Sequence, residues 1–183
     1  MALAALAAAA LASCATLPPE ERRRPTFVPA PDAPFALSGR LSARHGNDGI
    51  AANVRWNHAP DGDELMLATP LGAALARLDG TRERVRLTLA DGGTAEAADW
   101  ESLTTRVLGA PLPVRGLAWW IRASPRPGSA FAAEADAQQR LEVLRQDGWE
   151  IVYAYRDGDT RPMRLTLAYP GVEVRLVVDG WQP

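Results

Sequence analysis

Phe35-Ala36-Leu37-Ser38-Gly39-Arg40-Leu41-Ser42-Ala43-Arg44 decides the fold of this chain, because Phe35, Leu37, Leu41 and Ala43 alternate with Ala36, Ser38, Arg40, Ser42 and Arg44. A period of two is what a half-buried antiparallel strand requires, one face apolar and the other wet. The turn residues His45-Gly46-Asn47-Asp48-Gly49 return the chain into a second strand over 50–57, with Ile50, Ala52, Val54 and Trp56 on one face. The same grammar continues outward: Leu65 and Leu67 lead to the tight turn Thr69-Pro70-Leu71-Gly72, Leu75 and Leu78 follow, and Val85, Leu87 and Leu89 interleave with Arg84, Arg86 and Thr88. Gly92-Gly93 turns into a short strand through Ala97.

The period then changes. Asp99 reads as a helix N-cap with Glu101 in the first turn, and Trp100, Leu103, Val107 and Leu108 recur at helical spacing up to Gly109. Pro113 suits the first turn of a second helix in which Val114, Leu117, Ala118 and Ile121 share a face. Residues 124–128 are a loop, and the alanine-rich residues 129–137 fit either loop or short helix. Strands resume with reversals at Asp147-Gly148, Asp157-Gly158 and Pro170-Gly171. Trp149, Ile151, Tyr153 and Tyr155 share one face, as do Met163, Leu165, Leu167 and Tyr169, and then Val172, Val174, Leu176 and Val178. About ten strands in hairpins with two inserted helices predict a mainly β, strongly curved antiparallel sheet or incomplete barrel, the helices lying on its concave side.

Ahead of this domain stands a different kind of sequence. Leu11-Ala12-Ser13-Cys14 closes an alanine- and leucine-rich run and contains the chain's single cysteine. That is a lipobox, in which small residues precede the cut and the thiol takes a diacylglyceryl group. Residues 1–13 are expected to be a lipoprotein signal peptide and Cys14 the lipidated N-terminus. Residues 1–10 carry neither Lys nor Arg, which a start site upstream of Met1 would explain. The apolar run is too short to span a bilayer, which takes about 20 residues, so acyl chains must be the anchor. Residues 14–34 hold Pro18, Pro19, Pro25, Pro29, Pro31 and Pro34 and are expected to be an extended, poorly packed tether. Arg22, Arg23 and Arg24, part of whose charge Glu20 and Glu21 offset, fit a solvated linker first and contact with lipid phosphates second. Residues 35–183 form the domain.

A net charge of −2 gives no reason to expect nucleic acid as partner. The single cysteine excludes an intrachain disulfide, so the core must hold the fold. Catalytic groups are scarce. His45 falls in a turn, His58 stands beside Ala59-Pro60, and no metal set can be drawn from His and Cys. Asp61, Asp63 and Glu64 flank a turn, while Asp99 and Glu101 read as capping. No nucleophile elbow, phosphate loop or zinc-protease motif occurs. The residues point to a binding protein without catalytic residues, metal or cofactor, and not to an enzyme.

Five segments together are similar to the LolB family of Gram-negative outer-membrane lipoprotein receptors. They are FALSGRLSAR (35–44), TPLGAALARL (69–78), LGAPLPVRGLAWWI (108–121), QDGWEIVYAY (146–155) and VRLVVDGW (174–181). The resemblance implies an unclosed barrel of about eleven antiparallel strands, with helices covering an apolar cavity. The eleventh strand is expected among the poorly patterned segments. It implies a monomeric receptor on the outer membrane, lipid-anchored and facing the periplasm, that accepts the acyl chains of lipoproteins from the LolA–lipoprotein complex. The receptor then inserts its cargo into the inner leaflet of the outer membrane without ATP. Ala15, rather than aspartate, after the cysteine matches export to that membrane.

Under that resemblance the cavity lining is expected from Leu65, Leu67, Val85, Leu87, Ile151, Tyr153, Met163 and Leu165 of the sheet and Leu117, Trp120 and Ile121 of the second helix. Plain core packing accounts for each of them equally well. Pro70-Leu71-Gly72 matches the family's protruding loop, whose exposed leucine is implicated in delivering cargo to the membrane; a leucine folded back on its own hairpin is the alternative. A carrier of free fatty acid or phospholipid, an envelope assembly lipoprotein with a filled core, and a lipid-ester hydrolase remain competing readings.

Overall fold

The structure, a computed structural model, describes residues 26–81, 83–108 and 111–182. The signal peptide, Cys14, Ala15, Arg22 to Arg24, the tether up to Pro25 and Gly109 lie outside the described residues, as do the side chains of Val107 and Leu108.

Eleven strands form one sheet: β1 (Phe35–His45), β2 (Asp48–Ala59), β3 (Gly62–Ala68), β4 (Ala74–Thr81), β5 (Val85–Leu89), β6 (Thr94–Ala97), β7 (Phe131–Ala135), β8 (Leu141–Gln146), β9 (Trp149–Ala154), β10 (Arg164–Tyr169) and β11 (Val172–Gln182). The spatial order is β6-β5-β4-β3-β2-β1-β11-β10-β9-β8-β7, with neighbours antiparallel throughout. All pairings join consecutive strands except β1 with β11, where the first and last strands meet. Topology therefore places β6 and β7 at opposite edges of the sheet. The segment between them has to pass from one edge to the other, and it carries α1 (Trp100–Leu108) and α2 (Val114–Trp120). The mainly β, unclosed antiparallel architecture with inserted helices is the predicted one.

Alternation sets the inner face. Leu37, Ala43, Val54, Trp56, Leu65, Val85, Leu87, Leu144, Ile151, Leu165, Leu167, Val174, Leu176 and Val178 are buried and join Trp100, Leu103, Val114, Ala118, Trp120 and Ile121 of the helical segment in one core. Two glycines are fixed by close approach. A Cβ on Gly39 would come within 2.2 Å of the Val177 carbonyl across the β1–β11 seam, and one on Gly80 would come within 2.2 Å of the Trp100 ring. Asp99 caps α1 as expected, its Oδ1 accepting the Ser102 N–H at 2.6 Å. Pro113 takes the N-cap position of α2 rather than its first turn, and its carbonyl accepts the Leu117 N–H at 2.8 Å.

Three local readings change. The missing strand is β7, drawn from the ambiguous alanine-rich stretch. Ile50 keeps its register but is 39% exposed, because the inner face is uncovered at that end of β2; Leu75 falls at the register shift between β3 and β4 and is exposed too. Residues 26–34, expected as the end of a poorly packed tether, lie against the domain instead: Phe27 packs on the core, and Ala30, Pro31 and Asp32 make the polar contacts described below.

Candidate functional site: the concave face and its rim

The inner face of the sheet brings most of the sequence-predicted lining together. Leu65, Val85, Leu87, Ile151, Tyr153 and Leu165 from the strands and Trp120 and Ile121 from the helical segment all belong to the buried cluster, with Leu67 and Leu117 half-buried against it. Met163 is half-buried but borders a separate depression with Arg161, Pro162, Val178 and Trp181. The interior is apolar, and the helices fill it. Trp56, Trp100, Trp120, Leu103 and Ile121 are at most 1% exposed. Any long apolar guest must displace these side chains, and α2 presents one of the bulkiest, Trp120.

Polar atoms in this interior are few. The Trp56 Nε1–H donates to Asp63 Oδ1 at 2.7 Å and the Trp120 Nε1–H to Gln146 Oε1 at 2.8 Å. Gln146 also accepts from the Arg126 N–H and donates through Nε2 to the Arg126 and Ser129 carbonyls, which ties α2 and the following loop to β8. Trp100 Nε1 and the Tyr153 hydroxyl are buried without a hydrogen-bond partner among the described residues. Burial pushes the Tyr153 phenol well above its ordinary value, with the neighbouring Tyr155 adding to it, so the group stays neutral. Tyr155, whose hydroxyl donates to the Leu141 carbonyl at 2.7 Å, is likewise pushed up. Among the described residues no group of His, Cys, Asp and Glu is placed to hold a metal.

At the rim of the sheet the Thr69-Pro70-Leu71-Gly72 turn has the expected chemistry. The Gly72 N–H donates to the Thr69 carbonyl at 2.9 Å, Gly72 has φ +89°, and the Thr69 N–H donates to the Ala73 carbonyl at 2.8 Å. Pro70 sets the turn, and glycine supplies the left-handed residue that closes it. These bonds leave Leu71 projecting at 98% exposure, so it does not fold back on its hairpin. Beside the exposed Met66, the outward-facing side of β3 to β5 carries charge: Glu64, Arg77 and Asp79 form an ion-pair chain, and Arg86 pairs with Glu96. No helix among the described residues is long and apolar enough to cross a membrane.

Sequence reasoning missed one cluster. His58 is buried with Nδ1 2.7 Å from Asp63 Oδ1 and Nε2 2.8 Å from Asp32 Oδ1. The hairpin register alone pairs His58 with Asp63, a signal that could have been read; Asp32 arrives from the segment before β1. Burial lowers the imidazole pKa, but the two carboxylates raise it by more, so it sits above the usual 6.5.

Comparison with known proteins assigns the architecture to a family. The family model described as "LolB: Outer membrane lipoprotein LolB" matches residues 33–181. The chain is 39% identical over 183 residues to the outer-membrane lipoprotein LolB of Thiobacillus denitrificans, covering 100% of this chain and 97% of the relative. It is 42% identical over 164 residues to that of Chromobacterium violaceum, covering 88% and 87%. Among solved structures it is similar to a LolA-superfamily protein from Nitrosomonas europaea, at 10% identity and TM-score 0.47 over 84% of this chain and 87% of that one. That last likeness carries no weight beside the first three matches, which extend over nearly the whole domain and show that the chain belongs to the LolB family of outer-membrane lipoproteins.

Proposed function

We propose that the chain is a receptor anchored to the outer membrane through Cys14 and facing the periplasm. It takes lipoproteins from a LolA-type carrier by their acyl chains and inserts them into the adjacent leaflet without ATP. The observation that carries this reading is the continuous apolar inner face of an unclosed sheet, covered by helices rather than by a second sheet. Acyl chains exposed to water cost about 25 cal/mol per Å², so cargo moves only between covered sites. Transfer runs downhill if the receptor binds the chains more tightly than the carrier and less tightly than the bilayer. A lining of Leu, Val, Ile and aromatic side chains makes few hydrogen-bonding demands on the guest, which suits cargo that differs in protein and shares only its lipid. Leu71, projecting from its turn, supplies the membrane contact at release.

The test is transfer of a labelled lipoprotein from its purified LolA complex to a soluble form of the chain beginning at Thr26, which keeps the packed segment ahead of β1. Stoichiometric transfer without nucleotide is expected. Leu67→Glu and Leu117→Glu, at half-buried positions on the inner face, should weaken acceptance, since an unpaired carboxylate in apolar surroundings is strongly disfavoured. Unimpaired acceptance by both folded variants would move the binding surface elsewhere.

A further inference from the structure

The segment ahead of β1 is pinned at both ends, and the element it pins is α2. The Ala30 N–H donates to Ser124 Oγ at 2.8 Å, the Trp119 Nε1–H to the Ala30 carbonyl at 3.1 Å, and the Arg122 Nη1–H to the Pro31 carbonyl at 3.0 Å. Two residues on, Asp32 reaches His58 of β2, and Arg122 Nη2 stands 3.7 Å from the same carboxylate. Trp119 is in α2, and Arg122 and Ser124 follow it directly. Residues 30–32 thus run from the C-terminal end of α2 to the β2–β3 hairpin. From the far side Trp120 ties the same helix to Gln146 of β8.

We propose that residues 27–32 are a strap that holds α2 down on the concave face, and that His58, bridging Asp32 and Asp63, is its pH-sensitive clasp. Both ring nitrogens face carboxylate oxygens, and only the imidazolium can donate to both at once. A neutral ring donates to one carboxylate and turns a lone pair toward the other. The charged groups around the clasp are Asp63 of β3, Asp32 of the strap and Arg122 beyond α2, with Asp61 and Arg115 bordering the same recess; Phe35 stacks on the ring. Because the two carboxylates outweigh burial and raise the folded-state value of His58, the clasp is fully closed below the ordinary value of 6.5 and is lost as pH rises through the raised one. In sequence the strap follows the segment that contains Cys14, the proposed anchor. Opening the strap frees the Trp119 tie on α2 and leaves those of Trp120 to Gln146 and of Arg115 to the Thr81 carbonyl; side chains of this helix occupy the space a guest would need.

The experiment is hydrogen exchange, read by mass spectrometry on the full chain in detergent at about pH 6 and about pH 9 and corrected for intrinsic rates. In wild type, protection of Ala30 and of residues 119–124 should fall by about tenfold or more at the higher pH, while β9 and β10 keep theirs. Asp32→Ala, at a partly exposed position, should show the loosened level at both pH values. Equal protection of wild type at the two pH values would overturn the proposal. So would unchanged protection in Asp32→Ala, or a loss spread evenly over the sheet. Ser124→Ala cuts the strap's other end without touching the titrating groups, and should lower Ala30 protection at about pH 6 as well; no change there would also count against a strap. Acyl-chain admission through the opened face rests on the receptor reading and is measured separately, as transfer from the carrier complex at the two pH values. Its failure alone leaves the exchange result standing.

Discussion

Leu71→Glu separates taking cargo from handing it on. The side chain is 98% exposed, and the turn is held by backbone bonds of Thr69, Gly72 and Ala73 together with Ala73 N–H donation to Thr69 Oγ1 at 3.1 Å, none of which uses the leucine. Folding stability should therefore change by no more than about 0.5 kcal/mol, as for an ordinary surface substitution. Membrane affinity is another matter. Burying a leucine side chain in hydrocarbon gains about 2 kcal/mol. Placing a carboxylate there costs about 2.5–3.5 kcal/mol even on lenient insertion scales. The swing of about 5 kcal/mol exceeds the 2.7 kcal/mol that corresponds to a hundredfold, so the insertion step should slow by at least about two orders of magnitude while acceptance from the carrier stays normal. The assay follows labelled lipoprotein from the carrier complex onto the variant, then from the variant into liposomes. Wild-type insertion by folded Leu71→Glu would refute the membrane role of the turn. Loss of acceptance itself would place Leu71 at the carrier interface or in the cavity.

Cys14→Ser should leave an unacylated precursor, checked by intact mass of the envelope fraction; an unmodified Cys14 in wild-type envelopes would end the anchoring proposal. Gly80→Ala drives a methyl into the Trp100 ring and should cost about 1–3 kcal/mol in urea unfolding, and a midpoint equal to wild type would mean that α1 shifts freely on the sheet. Tyr153→Phe removes a buried hydroxyl that has no partner, so the empty protein should be unchanged or up to about 1 kcal/mol more stable by thermal unfolding; a loss above about 2 kcal/mol would show that the hydroxyl is satisfied.

What could be read in advance followed from physics that acts locally. Period-two alternation from Phe35 to Trp56 and from Trp149 to Val178 is enforced by one wet and one dry face, and the same residues line the core. The turn around Leu71 was legible because Pro70 and Gly72 suit its positions, while the projection of the leucine, rather than its folding back on the hairpin, is seen only in the structure. The edge strand β7 was not: Phe131–Ala135 is mostly alanine, pairs on one side only, and lacks the β-branched side chains that mark a strand. The strap was hidden for a different reason. Its proline content reads as a tether, and its contacts run through the backbone of Ala30 and Pro31 to a helix about ninety residues away. Likewise His58 looked inert because its second carboxylate, Asp32, comes from outside the hairpin. The outcome at Ile50 shows the limit of alternation, which assigns a face but not whether anything covers it.

The central claim is that acyl chains occupy the concave face, and photo-crosslinking reads this directly. A lipoprotein carrying a photoreactive group near the end of an acyl chain is loaded onto the chain from its carrier, irradiated, and the adducts are mapped by peptide sequencing. Adducts should fall on inward-facing residues such as Leu65, Val85, Ile151 and Leu165 and on α2 at Leu117 and Trp120. Adducts confined to outward-facing residues such as Met66 and Val152, both exposed, would contradict the account.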